Sequence, residues 1–245
     1  MRTKVVNGWT LLYDEEDDGY VRWSLKSDSW QNGMIHQAMS WCTDFNNAID
    51  IGSCYGASAR ILAKNFKQVH AIEMYPKFIE CAKINTKEFS NIKWYNYVIG
   101  DFNGKVTINS ALYGGRSTLK HNERLTKAQL IVYRDEEKTI TPSRKFSLWV
   151  SENELDEISL IKCDIEHYEK FFIEYGIGVF DKFKPVIVVE LMYESEQQYA
   201  VETLKKIGYA LVERSRNDFI FAHEDKQLSE LKGKRQLYGG SSIYV

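Results

Sequence analysis

A glycine-containing turn follows the first clear strand pattern of this sequence. The segment AIDIGSCYGASAR runs from Ala48 to Arg60, with an apolar start that predicts a strand and an end that predicts a helix. Gly52 and Gly56 let a ligand approach the backbone and permit positive φ angles. Such a turn after a first strand is the usual nucleotide site of an open α/β sheet. The two glycines alone are equally compatible with a tight turn that binds nothing.

An acidic residue at the end of the second predicted strand favours the nucleotide interpretation. Glu73 follows strand residues 68–72 and lies 23 residues after Asp50. An acid at this spacing is placed to accept hydrogen bonds from both hydroxyls of a ribose. A dinucleotide fingerprint requires small residues at 52, 54 and 57, and Cys54 obstructs the approach of a pyrophosphate. We therefore expect S-adenosylmethionine, which carries no phosphate, with Asp50 near its ammonium group.

The segment LIKCDIEHYEK, at 160–170, places several titratable side chains just beyond a fourth predicted strand. Methyl transfer to an alcohol requires an oriented acceptor and a base that takes its proton. We expect Glu166 to be this base, His167 to be the second candidate, and Asp164 to orient the methionine end of the cofactor. The alternative is a charged helix N-terminus, where acids stabilise the helix dipole. That alternative is favoured for Glu169.

Glu190 ends the apolar strand pattern VIVVE and could line the acceptor site or pair with a basic neighbour. Asp164 and Glu166 offer the oxygen ligands that Mg²⁺ prefers. However, no Asp-Asn pair follows the fifth strand, where metal-dependent catechol-type enzymes place one. We therefore expect catalysis without a bound metal.

Strand and helix patterns alternate along the middle of the chain, as in a parallel α/β sheet. Helices are predicted over 29–42, from 58, from Pro76 and over 195–207. Strands are predicted over 47–51, 68–72, 93–99, 159–163 and 185–191, with a final antiparallel pair at 209–214 and 218–223. Residues 101–104 are predicted to form a hairpin turn from the third strand into 105–108.

We expect one domain over residues 1–245, because no Gly/Ser/Pro-rich linker or internal repeat divides the chain. Residues 1–40 would be an N-terminal extension that serves as a lid, a dimer arm or part of the acceptor site. Residues 109–157 are the least regular part, with one predicted strand at 130–134. An insertion of this length in an α/β fold often lies near the active site.

The composition excludes several classes of protein. The chain is 44% hydrophobic and 27% charged, with a formal net charge of −2, so a partner with a polyphosphate backbone is not expected. Four cysteines without a CxxC pair do not predict a zinc site or a disulfide framework. The start lacks the apolar segment of a secretory signal, and no run is long enough to span a membrane. These features predict a cytoplasmic protein.

At this point the motifs resemble those of the FkbM-type methyltransferases, which are class I enzymes that use S-adenosylmethionine. The resemblance is carried by DIGSCYG, AIEMYP, YVIGDFNGKVTI, GGRSTL, LIKCDIEHYE and VIVVEL, and it covers residues 45–225. Two positions depart from the family pattern, because Cys54 replaces the usual Asn and His167 the usual Gly.

The resemblance implies a Rossmann-like fold with seven strands in the order 3-2-1-4-5-7-6, an antiparallel strand seven, and helices on both faces. It also implies O-methylation, frequently of a sugar hydroxyl on a glycan or a small molecule. Expected cofactor-binding residues are Asp50, Gly52, Ser53, Cys54, Tyr55, Gly56, Glu73, Met74, Val98 and Asp164. Expected acceptor-binding residues are Ser117 and Glu190.

The residues alone leave two other functions open. One is a nicotinamide-dependent oxidoreductase on the same fold, against which Cys54 argues. The other is a non-catalytic binding module, against which the joint presence of Asp50, Glu73 and Asp164 argues.

Overall fold

A computed structural model describes residues 1–6, 8–15, 21, 32–111, 118–119, 133–166 and 168–225. The strands are β1 (Arg2–Val6), β2 (Trp9–Tyr13), β3 (Asn47–Ile51), β4 (Gln68–Glu73), β5 (Ile92–Asn96), β6 (Val98–Ile99), β7 (Gly104–Ala111), β8 (Thr118–Leu119), β9 (Tyr133–Arg144), β10 (Leu160–Cys163), β11 (Val186–Glu190), β12 (Tyr209–Ser215) and β13 (Asp218–His223). The helices are α1 (Asn32–Met39), α2 (Ala57–Ala63), α3 (Pro76–Asn85), α4 (Phe146–Glu152), α5 (Glu169–Phe183) and α6 (Glu194–Lys205).

Seven strands form the central sheet in the order β5-β4-β3-β10-β11-β13-β12. All neighbouring pairs are parallel except those of β13, which runs antiparallel to both β11 and β12. This is the expected order 3-2-1-4-5-7-6 with an antiparallel strand seven, so the predicted fold class is confirmed. The carboxyl ends of β3, β4, β10 and β11 therefore meet at one edge of the sheet, and the amino end of β13 lies at that same edge.

Side chains alternate between the two faces of this sheet and build one apolar layer on each. Ile49, Ile161 and Ile187 face the layer that contains the buried residues of α4, α5 and α6. Ala48 and Leu160 face the opposite layer, which is filled from α1 and α2. Helices thus cover both faces, as predicted. This double burial explains why the central strands read as continuous apolar runs.

The predicted third strand is divided between two sheets. Only Ile92–Asn96 pairs within the central sheet, whereas Val98–Ile99 belongs to a second sheet with the order β6-β9-β7-β8. The predicted hairpin between β6 and β7 is wrong, because Ser143 of β9 lies between Val98 and Gly104. A strand has two hydrogen-bonding edges, so the long β9 can pair with β6 along one edge and with β7 along the other.

The end of α1 differs from the sequence prediction for a local reason. The first central helix ends at Met39 instead of Cys42, because the amides of Trp41 and Cys42 donate to carbonyls three residues earlier and tighten the last turn. Pro76 occupies the first turn of α3, as expected from its missing N–H. In the described residues, no helix is long and apolar enough to cross a membrane.

Candidate active site

The loop after β3 bends sharply at three left-handed residues. Gly52, Cys54 and Gly56 have φ angles of 78°, 48° and 84°. A Cβ at position 52 would lie 1.8 Å from the main-chain oxygen of Asp164, so only glycine fits beside β10. A Cβ at Gly56 would meet the side chains of α3 and β5 at 3.1–3.3 Å. The loop, called the glycine loop below (residues 52–56), is thus packed against the residue after β10 on one side and against α3 and β5 on the other.

Asp50 lies under this loop and is fully buried. Its Oδ2 accepts a hydrogen bond of 2.6 Å from the Ser58 hydroxyl, and its backbone oxygen accepts one of 2.8 Å from the Ser53 hydroxyl. Its Oδ1 has no hydrogen-bond partner among the described residues and lies 3.5 Å from Lys162 Nζ. A buried carboxylate oxygen with spare acceptor capacity can accept a hydrogen bond from a cationic group bound at the loop.

Lys162, on β10, holds this side of the site together and was not identified from the sequence. Its ammonium donates to the Gly52 carbonyl at 2.9 Å and lies 3.6 Å from Asp164 Oδ2. Burial lowers the pKa of Lys162, but the charges of Asp164 and Asp50 outweigh this effect and raise it overall, so the amine stays protonated. A charged residue inside the apolar strand LIKC was the signal that could have revealed it, since buried lysines are almost always paired.

Glu73 lies at the end of β4, where the sequence predicts an acid that binds ribose. Its Oε2 accepts the Cys54 amide at 2.8 Å, and its Oε1 accepts the Tyr75 amide at 2.9 Å. Burial raises the pKa of Glu73 to about 7, although both of these amides act to lower it. A carboxylate has about four acceptor positions, so Glu73 has room for a further donor. The strand end and the glycine loop are therefore joined through one carboxylate.

Met74 and Val98 meet in a small apolar cluster beside Glu73. Tyr168 and Val98 are its buried members, and Met74, Ile165 and Phe171 pack against them. The Met74 carbonyl is fixed by the Asn96 amide at 2.8 Å and by the Thr141 hydroxyl at 2.9 Å. Thr141 belongs to β9, so the insertion at 109–157 contacts this cluster. An apolar surface of this kind suits a flat aromatic ring such as a purine.

A cleft between α1 and the carboxyl edge of the sheet contains the acids Asp164, Glu190 and Asp218. We call it the acidic cleft; it is lined by Met34, Ile35, Lys162, Cys163, Asp164, Val188, Glu190 and Asp218. Glu190 and Asp218 are direct partners in the β11–β13 pair. Asp218 was missed because no sequence motif marks it. It reaches the cleft only because β13 runs antiparallel and starts at the edge where the other strands end.

Mutual repulsion dominates the electrostatics of the acidic cleft. The charge of Asp164 and then burial raise the pKa of Glu190 well above its ordinary value. Burial and the charge of Asp164 raise the pKa of Asp218 to about 6. Glu166 lies next to these groups with a left-handed φ of 52°, and its charge further disfavours ionisation of Glu190. Strained backbone of this kind concentrates at functional sites.

The other predicted site residues fall in different surroundings. The Tyr55 side chain is fully buried beneath β2, where its hydroxyl accepts the Asp14 amide, so only its backbone belongs to the glycine loop. Glu169 is the first residue of α5, and its Oε1 accepts the Ile165 amide at 2.8 Å, in keeping with the helix N-terminus alternative. Ser117 and His167 lie outside the described residues. In the described part of the chain, no group of three or more His, Cys, Asp or Glu side chains could hold a metal ion.

Comparison with known proteins gives a family match over the same region. Residues 50–221 match the model of the methyltransferase FkbM domain. A methyltransferase FkbM from Methylobacillus flagellatus KT is 13% identical with a TM-score of 0.47, and the match covers 87% of this chain and 56% of that chain. A putative RNA methyltransferase from Pyrococcus horikoshii is 11% identical with a TM-score of 0.46, covering 80% and 84% of the two chains. No curated protein matches the chain.

The family match spans the glycine loop, Glu73, the apolar cluster and every lining residue of the acidic cleft except Met34 and Ile35 of α1. The cofactor of this family and fold is S-adenosylmethionine, as the sequence predicts. The chain belongs to the FkbM methyltransferase family.

Proposed function

We propose that this methyltransferase transfers the methyl group of S-adenosylmethionine to a hydroxyl of a sugar or a related polyol. One observation carries the proposal: the glycine loop contacts the Asp164 carbonyl and the Lys162 ammonium, and the same two residues line the acidic cleft. A cofactor on the loop would therefore meet an acceptor in the cleft. Carboxylates suit such an acceptor, because they accept hydrogen bonds from hydroxyl groups.

The residues of the cofactor side fit the parts of S-adenosylmethionine. Glu73 would accept the ribose hydroxyls, and Met74 and Val98 would contact the adenine. The loop backbone, with Ser53 and Cys54, would lie along the methionine end, whose ammonium would face Asp50 and Asp164. When bound, the cofactor supplies an electrophilic methyl group on its sulfonium.

The acceptor side would bind and deprotonate the hydroxyl. Glu190 and Asp218 lie side by side and would hold neighbouring hydroxyls of the acceptor, with Ser117 as a further contact from the insertion. Glu166 would take the proton of the reacting hydroxyl, and His167 is the second candidate for that role. General-base catalysis of this kind contributes roughly 10²–10⁴ in rate. None of these steps calls for a metal ion.

Charge argues against a nucleic-acid acceptor. Glu190 keeps its proton because its pKa is raised, but the acidic cleft also carries Asp164 and Asp218 and has Glu166 next to it. Lys162, the ammonium among its described lining residues, is already bonded to the glycine loop. A phosphate backbone would be repelled from such a surface, particularly at low salt. We infer that one domain over residues 1–245 acts on a glycan or small-molecule acceptor, with residues 1–40 as its extension.

Ligand binding tests the cofactor, and labelled methyl transfer tests the acceptor. S-adenosylhomocysteine at about 100 times its Kd should stabilise the protein by about 2.7 kcal/mol in a thermal-shift assay, and NAD and NADP should not. In a panel of sugars, glycans and RNA, each with labelled S-adenosylmethionine and with or without EDTA, label should enter only sugars or glycans, equally in both conditions. Stabilisation by NAD alone, labelling of RNA alone, or activity that EDTA abolishes and Mg²⁺ restores would contradict the corresponding part of the proposal.

A further inference from the structure

Asn85, the last residue of α3, connects three segments that are distant in the sequence. Its side chain is buried, with 5% of the residue exposed. The Oδ1 atom accepts the Leu12 amide at 2.7 Å, and Nδ2 donates to the Leu12 carbonyl at 2.8 Å. Nδ2 also donates to the Tyr55 carbonyl at 2.9 Å. One amide group therefore binds both β2 and the glycine loop.

The glycine loop needs such support, because its backbone is strained at Cys54, the residue before Tyr55. Cys54 has a left-handed φ of 48°, which a side chain disfavours. Conformations of this kind persist only where the surrounding structure holds them. The amide of Cys54 is hydrogen-bonded to Glu73 at 2.8 Å. The carbonyl of the next residue, Tyr55, is hydrogen-bonded to Asn85. The ribose-binding carboxylate and Asn85 thus hold consecutive residues of the loop.

The N-terminal hairpin, formed by β1 and β2, has a second link to the loop through Tyr55. The Tyr55 hydroxyl accepts the Asp14 amide at 3.3 Å. Its ring is fully buried, and the ring centroids of Phe78 and Tyr13 lie 4.5 Å and 6.3 Å from it. Movement of the hairpin would therefore disturb both the backbone and the side chain of a loop residue.

We propose that Asn85 is a positioning residue of the cofactor site, which holds the glycine loop in its binding conformation and couples it to the N-terminal hairpin. The proposal rests on the proposed function, in which this loop and Glu73 bind the cofactor. Coupling between two equilibria is reciprocal. If the docked hairpin favours cofactor binding, bound cofactor must stabilise the docked hairpin by the same factor.

Asn91 provides a matched control for a purely structural asparagine. Its Nδ2 donates to the Ala63 carbonyl at 2.9 Å and to the Phe66 carbonyl at 2.8 Å. Like Asn85, it lies at the end of one element and ties down another through main-chain carbonyls. Both carbonyls belong to the end of α2 and its following turn, so neither bond reaches the glycine loop.

Calorimetry with S-adenosylhomocysteine compares alanine variants of the two asparagines in the full chain. The measurements are made well below the melting temperature of each variant. Asn85→Ala should weaken binding about 3- to 10-fold, the equivalent of one or two net hydrogen bonds, whereas Asn91→Ala should stay within about twofold of wild type. Both substitutions should lower Tm. Unchanged affinity in Asn85→Ala, or equal weakening in both variants, overturns the proposal.

Hydrogen exchange on the wild-type protein gives a test that does not depend on the variant folding. Saturating S-adenosylhomocysteine should slow exchange of the Leu12 and Asp14 amides at least threefold, because these amides are bonded to Asn85 and Tyr55. If the ligand binds and both exchange rates stay unchanged, the coupling is wrong and the cofactor assignment stands. If the wild-type protein does not bind the ligand at all, the proposed function itself fails.

Discussion

Gly52 and Asp164 lie so close that a Cβ on the glycine would be 1.8 Å from the Asp164 carbonyl oxygen. The two residues follow the neighbouring parallel strands β3 and β10, and the Asp164 amide donates back to Ile51 at 3.1 Å. The end of the first strand and the start of the proposed catalytic segment are thus in direct backbone contact. Any change of backbone at one residue must move the other.

We predict that Gly52→Ala destabilises the protein and abolishes tight cofactor binding. The new methyl group would meet a backbone atom, and φ is 78° at this position, so the cost should be about 2–5 kcal/mol in urea denaturation. Gly178→Ala is the control, because a Cβ on this α5 residue meets nothing within 4 Å. It should gain about 0.5–1 kcal/mol. A Gly52→Ala protein with wild-type stability and affinity would contradict the packing described for the loop.

We predict that Lys162→Met lowers the free energy of unfolding by about 3–5 kcal/mol, because it leaves Asp50 as a buried charge without its cation. The exposed Lys87→Met should change it by less than about 0.5 kcal/mol. Adding Asp50→Asn to Lys162→Met should restore part of the loss, since the uncompensated charge is then removed. Urea denaturation of the four proteins measures these differences, and a double variant less stable than Lys162→Met alone would show that Asp50 does not depend on Lys162.

We predict that affinity for S-adenosylhomocysteine rises with pH between pH 6 and 8 through Glu73. Burial raises the pKa of Glu73 to about 7, and a ribose hydroxyl donates more strongly to the ionised carboxylate. The ligand therefore binds preferentially to the form with Glu73 deprotonated, and binding below pH 7 releases a proton. The affinity should rise about 5- to 10-fold from pH 6 to pH 8.

Glu73→Gln provides the comparison by calorimetry at pH 6, 7 and 8. This variant should bind about 10- to 100-fold more weakly at pH 8, with a much flatter pH dependence, because a neutral amide replaces the titrating acceptor. An identical pH dependence in both proteins would assign the proton to another group.

We predict that Glu190 makes the protein less stable as pH rises. Its folded pKa is raised above the ordinary value of 4.5, first by Asp164 and then by burial. The folded state therefore keeps a proton that the unfolded chain loses, so the stabilising contribution is complete below about pH 4.5 and declines as pH increases through the neutral range. One such proton corresponds to a slope of about 1.4 kcal/mol per pH unit.

Glu190→Gln should reduce this slope, because the amide keeps a hydrogen-bond donor without titrating. Urea denaturation at pH 6 and 8 should show a smaller loss of stability in Glu190→Gln than in wild type, whereas the exposed Glu174→Gln should retain the wild-type slope. A slope unaltered by Glu190→Gln would mean that the proton resides on another buried carboxyl of the protein.

We predict that Glu166→Gln slows methyl transfer about a hundredfold or more and leaves cofactor affinity within a few fold. The substitution removes the proposed base but preserves the size and the backbone position of the side chain. Once an acceptor is identified, single-turnover kinetics at saturating S-adenosylmethionine separates the chemical step from binding. Loss of cofactor binding in this variant would instead make Glu166 a structural or cofactor-binding residue.

Local patterns in the sequence determined much of the fold and the residues of the proposed cofactor half of the site. The alternation of apolar strands and amphipathic helices predicted a parallel α/β sheet, because such periodicity directly reflects which faces are buried. The resemblance to the FkbM-type family implied its seven strands and their order. The positions of Gly52, Gly56 and Glu73 followed from strand ends, since a turn and an acid at a known separation lie within one βαβ unit. Each of these features depends on residues that are close in the chain.

Only the tertiary structure decided which distant residues meet. Asp218 joins Asp164 and Glu190 because β13 is antiparallel, and α1 closes the same cleft from more than 100 residues away in the chain. The insertion strand β9 separates β6 from β7, although those two strands are neighbours in sequence. Strand pairing and helix docking are selected by the packing of the whole molecule, and no local spacing encodes that choice. For the same reason the sequence identified the acids of LIKCDIEHYEK but not the buried contacts that Lys162 and Asn85 make with the glycine loop.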